Sequence, residues 1–504
     1  MACSDDNGPL NTGQTNDQPE RISDLRLDST AQGSMYLSWT AVEIHTEPGG
    51  PDPAYDVRWS ADSTTLIEWT DAAAVGSPPD PATAGSHEQL VVHGLYPGTV
   101  YYFGVKIVGD PAGPSPLSNI VSSIPFDDFI VLFPDTSLET VVREHASVPE
   151  GDIYYSALQG LTSFQAEARG IISLSGLQYL RNLEHLHLQH NQIRFLWPLE
   201  SLTNLRFLYL WSNVIADIGP LSGLTGLQSL HLDLNRISDI AALSGLTGLR
   251  QLDLSDNPIS NLGPLAGLSC LESLTLGDEG SIDDITPLAS LSGLQYLSVK
   301  SDRLRDLGPL SGLTSLRQLT LTGPEMNDIG PLSTLSNLVM LGLNGNGIID
   351  IEPLYGLTNL QVLDLGNNQI GNIDSLSGLT DLQALHLENN LITSVDILTA
   401  MTDLSYLHLG GNRVSSIDVL AGLTRLQYVY LNGNEISNID ALANLVELDY
   451  LDLQDNQITR VYPLAKNSGL GSGDQVYLYG NPLSDMSIRK YIPLLRARGV
   501  SVYY

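Results

Sequence analysis

Residues Leu183–Leu202 read "LEHLHLQHNQIRFLWPLESL", and Leu205–Leu224 read "LRFLYLWSNVIADIGPLSGL". The two stretches begin 22 residues apart, and the same frame returns at Leu227. From Leu161 onward the frame governs the chain, with its first position at Leu183, Leu205, Leu227, Leu249, Leu271, Leu294, Leu316, Leu338, Leu360, Leu382, Leu404, Leu426 and Leu448. The unit that starts at Leu271 is 23 residues long instead of 22. A fixed period of this length means a stacked array of small units, none of which can bury its apolar face alone.

The shared frame is LxxLxLxxNxIxxIxxLxxL, the pattern of the leucine-rich repeat. Each "LxLxx" is expected to form one strand of a parallel sheet, with leucines and isoleucines filling a continuous core. Thirteen such strands make a sheet ~60 Å along its arc. The ninth position is Asn in ten of the thirteen full repeats: Asn191, Asn213, Asn235, Asn257, Asn346, Asn368, Asn390, Asn412, Asn434 and Asn456. A buried amide there can pair backbone groups that the turn leaves open. Glu279, Asp302 and Pro324 break the series together, so a local irregularity in curvature is expected at that point. Pro198, Pro220, Pro264, Pro287, Pro309, Pro331, Pro353 and Pro463 are expected to set short helical turns on the opposite face, which bends the sheet into a concavity.

Upstream, residues 19–125 alternate in short runs: "SMYLSWTAV" (34–42), "AYDVRWS" (54–60), "EQLVVHGL" (88–95) and "VYYFGVKIV" (100–108). Clusters of Pro, Gly and Asp separate them, as in an antiparallel sandwich with Trp39 in its core. "LYPGTVYYFGVK", with Leu95 and Tyr101 at its corner, resembles the fibronectin type III signature. The segment 126–160 carries "FPDTSLETVVREHA", with Asp135 and Ser137 as N-cap residues and an apolar stripe of Leu138, Val141 and Val142. A short helix there would cap the repeats.

The predicted order is a disordered tether over 1–18, a fibronectin type III-like sandwich over 19–125, a helical cap over 126–160, repeats over 161–469 and a C-terminal cap over 470–504. The fold class is mainly β with short 3-10 or α turns, ending in a curved solenoid with a parallel concave sheet. The 22-residue repeat, the helical cap and the closing "VYLYGNPLSDMSIRKYIPLLRARGV" together resemble the internalin-like family of bacterial surface proteins over 126–504. That resemblance implies protein recognition without catalysis. The β-domain precedes the repeats here, and the LPxTG motif of wall-anchored members is absent from the sequence.

Net charge is −34 at neutral pH, with 16 acids against 4 bases in residues 1–125 and 41 against 19 in the remainder. Such a surface repels phosphate backbones and anionic lipid, which argues against nucleic acid as a partner. No run of 18 apolar residues exists. The two cysteines form neither a disulfide framework nor a zinc site. Cys270 is expected to pack as a small buried residue. Cys3, in "MACSDDNGPLNTGQTNDQPE", follows a small residue and precedes a polar tether. This resembles the processed start of a bacterial lipoprotein, with Cys3 carrying the lipid and the protein exported to the envelope or secreted.

Function is written in the positions that vary. The third, fifth and seventh residues of each repeat point out of the sheet into the hollow. Two aromatic patches emerge in these columns. One joins His187, Phe207, Tyr209, Trp211 and His231; the other joins His386, Tyr406, His408, Tyr428, Tyr430 and Tyr450, with Tyr477 and Tyr479 from what is read as the final strand. Exposed aromatics with polar tips on a rigid surface suit a protein partner or a glycan. A plain alternative is that the rings only stabilise adjacent strands.

His386 and His408, near Asp364 and Glu388, have the residue types of a zinc site, as does the group His185, His187 and His190. A flat, solvent-facing ladder is expected to lack the converging shell that a metal needs, so neither a metal nor any other cofactor is predicted. No nucleophile elbow, HExxH motif or phosphate loop is present, and Asp253 and Asp364 lie about five strand spacings apart, too far for paired acid–base work. The expected protein is a non-enzymatic, surface-tethered recognition protein. An accessory binding subunit of a polymer-degrading system, or a scaffold without a ligand, are the alternatives. No oligomer is implied.

Overall fold

The computed structural model describes residues 18–31, 34–46, 51–69, 72–95, 99–123, 129–277 and 282–504. The lipid-anchor expectation at Cys3 and the broken ladder position at Glu279 lie outside them. Two compact units are present: the described residues up to Val131 together with Gly151–Leu158, and Leu132–Glu150 together with Gln159–Tyr504.

The first unit holds seven strands, β1 (Arg26–Ala31), β2 (Ser34–Thr40), β3 (Ala54–Ser60), β4 (Ala73–Ala74), β5 (His87–His93), β6 (Tyr101–Val108) and β7 (Val121–Ser123). They form two antiparallel sheets of order β1-β2-β5 and β4-β3-β6-β7. Alternate residues face a shared core, with Met35, Leu37, Trp39, Leu90 and Val92 from one sheet and Tyr55, Val57, Phe103, Val105 and Ile107 from the other. Trp39 is fully buried and meets Tyr55 edge to face at 5.1 Å. Phe129–Val131 pairs back onto Ile153–Tyr155 within this unit, through Val131 N–H to the Ile153 carbonyl at 2.8 Å and Tyr155 N–H to the Phe129 carbonyl at 2.9 Å.

The second unit opens with a helix at Thr136–Ala146. Asp135 is its N-cap: one carboxylate oxygen accepts from Leu138 N–H at 3.0 Å. The other accepts from Ile172 and Ser173 N–H at 2.7 and 2.9 Å, so one side chain both starts the helix and fastens it to the first coil. Leu138, Val141 and Val142 form its buried stripe, as their spacing requires. Ser137 lies inside the helix instead of capping it.

Sixteen parallel strands follow in sequence order, from Ser163–Gln165 to Ser501–Tyr503, three more than the thirteen full repeats supply. The extra strands are Ser163–Gln165 before the repeats and Gln475–Tyr477 and Ser501–Tyr503 after them. Most coils bury seven aliphatics; in the second these are Leu205, Leu208, Leu210, Ile215, Ile218, Leu221 and Leu224, none more than 1% exposed. The prolines sit in the first turn of 3-10 helices such as Gly219–Leu221 and Gly263–Leu265, where a missing N–H costs nothing.

The turn after each strand explains the asparagines. The eighth position takes a left-handed conformation at His190, Ser212, Leu234, Asp256, Asn367, Asn389 and Asp455, all with φ between 52° and 58°. That bend leaves carbonyls and an amide unpaired inside the coil. Asn213 restores them: its amide donates to Leu188 and Leu210 carbonyls at 3.0 and 2.9 Å, and its oxygen accepts from Ile193 N–H at 3.0 Å. The same triad of bonds recurs along the array and extends to Asn481, beyond the regular period.

Where the ladder fails, the backbone changes. Strands Ser273–Gly277, Tyr296–Lys300 and Gln318–Thr322 run five residues instead of three. Ser301 and Gly323, at the eighth position there, have no positive φ. Without asparagine to cap the left-handed bend, the strand continues and Ser301 supplies the local bond to the Ile282 carbonyl. Cys270 is exposed, contrary to the burial expected of it: it falls between Leu268 and Leu271 on the outward side of the turn.

Candidate binding face

In the repeat strands the middle residue is buried and its neighbours are open, apart from the buried Ser229 and Asp452, so the third and fifth positions form columns on the outer surface of the sheet. Register keeps the columns straight: Phe207 pairs with His185 and Ser229, and Tyr209 with His187 and His231. The variable residues therefore meet their counterparts one strand away.

The first patch is a set of stacked rings. His185 lies flat on Phe207 at 4.5 Å, and His187 on Tyr209 at 4.5 Å. Tyr209 stacks in turn on His231 at 5.0 Å. Trp211, in the seventh column, is half-buried and meets His190 edge to face at 4.0 Å. Burial holds the His187 and His231 imidazoles below their ordinary pKa, against the pull of Glu167 and Asp253 respectively. Next to them Asp233 is pushed up to about 6, by burial first and then by the charge of Asp253.

The second patch is one continuous ladder. His386 meets Tyr406 at 4.5 Å, Tyr406 meets Tyr430 at 5.5 Å, Tyr430 meets Tyr450 at 4.8 Å and Tyr450 meets Tyr477 at 5.2 Å. It ends on Tyr503, stacked on Tyr477 at 4.7 Å. His408 joins from the side, edge-on to Tyr430 at 4.8 Å. Tyr428 projects beside the ladder, 6.3 Å from Tyr406, and is exposed. Burial, then neighbouring Tyr430, raises the Tyr406 phenol to about 12; burial, then Asp452, does the same for Tyr450. These hydroxyls remain protonated donors at any physiological pH.

Each of the thirteen aromatic and histidine residues singled out in the sequence thus lies where its column puts it, and twelve of them join a patch. Tyr479 is exposed and stands clear of the ladder. The strand carrying Tyr477 is the penultimate one, not the last. Tyr503 escaped the reading because it follows Tyr477 by 26 residues, off the period, although "GVSVYY" alternates as a strand does. Glu388, read in the sequence as lying near His386 and His408, partners His408, whose Nδ1 lies 2.8 Å from its carboxylate. Burial alone would raise Glu388, but the His408 bond and charge outweigh it and hold the carboxyl below its usual value. The acids Asp253 and Asp364 sit on separate strands with four between them, so no paired-carboxylate geometry arises.

Comparison with known proteins fixes the class. Segments 181–221, 203–245, 247–290, 336–378, 380–422, 402–444 and 424–466 match the family described as Leucine Rich repeats (2 copies). No curated protein matches the sequence. Among solved structures, an internalin (InlF) of Listeria monocytogenes is 32% identical, with a TM-score of 0.57, over 67% of this chain and 94% of that one. A leucine-rich-repeat protein of Leptospira interrogans shares the fold at 24% identity and a TM-score of 0.60, over 69% of this chain and 91% of its own. The functional domain of InlJ from Listeria monocytogenes shares it at 22% identity and 0.55, over 68% and 79%. The chain belongs to the internalin-like leucine-rich-repeat proteins.

Proposed function

We propose that this chain is a non-enzymatic recognition protein of a bacterial surface, and that it holds a protein partner against the ring ladder from His386 to Tyr503. The observation that carries the reading is how the rings are used. Ladder neighbours lie 4.5 to 5.5 Å apart with interplanar angles of 15° to 41°, so each ring's faces are covered by the next ring. What remains outward is the ring edge, with the Tyr477 hydroxyl donating to Gln475 Oε1 at 2.8 Å. A glycan stacks on an open ring face; a protein surface packs against edges and takes hydrogen bonds from hydroxyls. Rigid tyrosines on a sheet also lose little side-chain freedom on binding.

The two-sheet unit then serves as a fibronectin type III-like spacer over 19–125, the segment 126–160 and the last residues from 470 cap the repeats, and Cys3 carries the lipid that holds the protein at the envelope. Among the described residues no helix is long and apolar enough to cross a membrane. The aromatic patch around Tyr209 and Trp211 forms a second contact for the same partner.

The test is the triple variant Tyr406→Ala, Tyr430→Ala, Tyr450→Ala in the full chain. Cross-strand ring pairs contribute about 0.2–1 kcal/mol each to stability, while hot-spot tyrosines contribute 2 kcal/mol or more to binding. Six ring pairs are lost, so the expected result is a folded protein, destabilised by about 1–6 kcal/mol, that no longer captures envelope or host proteins held by the wild type. Unchanged capture with the stability loss alone would make the ladder a purely structural device.

A further inference from the structure

We infer that His386, Glu388 and His408 form a binding site for a divalent transition cation of the zinc class, held by two imidazole nitrogens and one carboxylate oxygen. The inference stands on this cluster and not on the partner reading above. One ligand atom from each of the three residues lies within 4.8 Å of the other two. His386 and His408 face each other on adjacent strands, and Glu388 follows His386 by two residues, which returns it to the same face. A cation with bonds of about 2.0–2.2 Å holds its ligand atoms ~3.3 Å apart, so small side-chain rotations close the site. Two imidazoles and one carboxylate leave a fourth position open toward solvent, a ligand set that zinc accepts.

The shell around the three ligands is built. Tyr406 lies across the His386 ring and Tyr430 braces His408 edge-on, which fixes both imidazoles. An amide relay runs from Asn389 to Asn367 at 2.9 Å and from Asn367 to Asn344 at 3.0 Å. Asn344 donates onward to Asp364 at 3.1 Å and reaches Glu388 Oε1 at 3.5 Å. Such outer contacts orient ligands and raise affinity. Glu388 is drawn back because residue 366 is a glycine: a Cβ there would lie 2.3 Å from Glu388 Oε1. The backbone does not demand glycine at 366, since its φ is not positive. The flat-ladder expectation fails at this point because that gap lets the carboxylate converge on His408.

Glu388 Oε2 is buried and faces His408 Nδ1 at 2.8 Å. A cation entering there would take both groups as ligands and is favoured by a chain of net charge −34. His231, Asp233 and Asp253 also cluster, with Tyr209 stacked on His231 and Asp253 accepting from Ser255, but one imidazole and two carboxylates are a harder ligand set that suits zinc less well than two imidazoles and one carboxylate.

The experiment titrates the chelator-stripped full chain with Zn2+ by calorimetry and with Co2+ by visible absorbance at pH 7.5. The inference predicts one equivalent bound, with affinity reduced at least tenfold in Glu388→Gln and His386→Ala. Gly366→Ala, which keeps all three ligands, should also lose about tenfold by displacing the carboxylate, while His231→Ala binds as the wild type. Circular dichroism confirms that each variant is folded, and Glu388→Gln and Gly366→Ala carry the test if His386→Ala is not. Absence of binding, affinity unchanged in Glu388→Gln and Gly366→Ala, or loss in His231→Ala instead overturns the inference.

Discussion

Replacing Asn213 by alanine tests the physical basis of the solenoid. In the folded chain the Leu188 carbonyl accepts from the amides of both Asn191 and Asn213, and the Leu210 carbonyl from those of Asn213 and Asn235. Removing Asn213 therefore halves the partners of two carbonyls without stripping either. Ile193 N–H is worse placed: Asn213 Oδ1 is its acceptor, and Ile193 is fully buried. Two hydrogen bonds lost at about 1 kcal/mol each, and one orphaned buried N–H at about 1–3 kcal/mol, give a destabilisation of ~3–5 kcal/mol. Stacked repeats open locally, so the loss is read best as a local quantity. Native-state hydrogen exchange of the Ile193 amide should accelerate by the matching factor, with urea unfolding followed in parallel. Exchange at Val414, ten strands along the sheet, should not change. A loss below 1 kcal/mol would mean that the asparagines merely tolerate the left-handed turn, and that the longer strands at 273–322 have some other cause.

Two further outcomes follow from charge. Burial tends to raise the Asp135 carboxyl, but the N–H groups of Ser173, Ile172 and Leu138 outweigh it and hold the pKa below its ordinary 3.8. Its stabilisation is therefore present above pH 4 and lost as pH falls through the lowered value, so Asp135→Ala should cost ~2 kcal/mol at pH 7 and progressively less in acid, measured by urea titration at several pH values. Asp233 has the opposite sign: its carboxyl is raised from 3.8 to about 6, so the native state loses stability as pH climbs through that window. Asp233→Asn should remove this slope and gain ~1 kcal/mol at pH 7 after allowance for its half-exposed position; an unchanged melting temperature between pH 4 and pH 7 in the wild type would refute it.

The repeat made most of this legible because a 22-residue period assigns every side chain to a column before any coordinate is known. Leucines, prolines, the asparagine ladder and both ring patches follow from that assignment. The helix start near Asp135 was legible from the apolar stripe that begins three residues later, although Ser137, named beside it as a cap, lies inside the helix. What the period does not reach was lost. Strands Arg26–Ala31, Ala73–Ala74 and Val121–Ser123 are short or irregular, and β1 carries a register shift between Leu27 and Ser29 that disrupts its alternation. Tyr503 and Asn481 continue their columns after spacings of 26 and 25 residues. The break at 279–324 was visible as missing asparagines, but its outcome depends on whether the backbone bends or stays extended. The convergence of Glu388 on His408 depends on a side-chain torsion and on the gap above Gly366, which no column count contains.

The claim that the ladder is a protein-binding surface is tested most directly by hydroxyl-radical footprinting of the full chain, free and with a captured protein partner. Oxidation reports the solvent exposure of single aromatic side chains. Protection concentrated at Tyr428, Tyr430, Tyr450, Tyr477 and Tyr503, with the outward Tyr355 and Tyr462 unchanged, is the predicted result. Protection confined to the two-sheet unit or to the 3-10 turns, with the ladder as reactive as in the free protein, would contradict it.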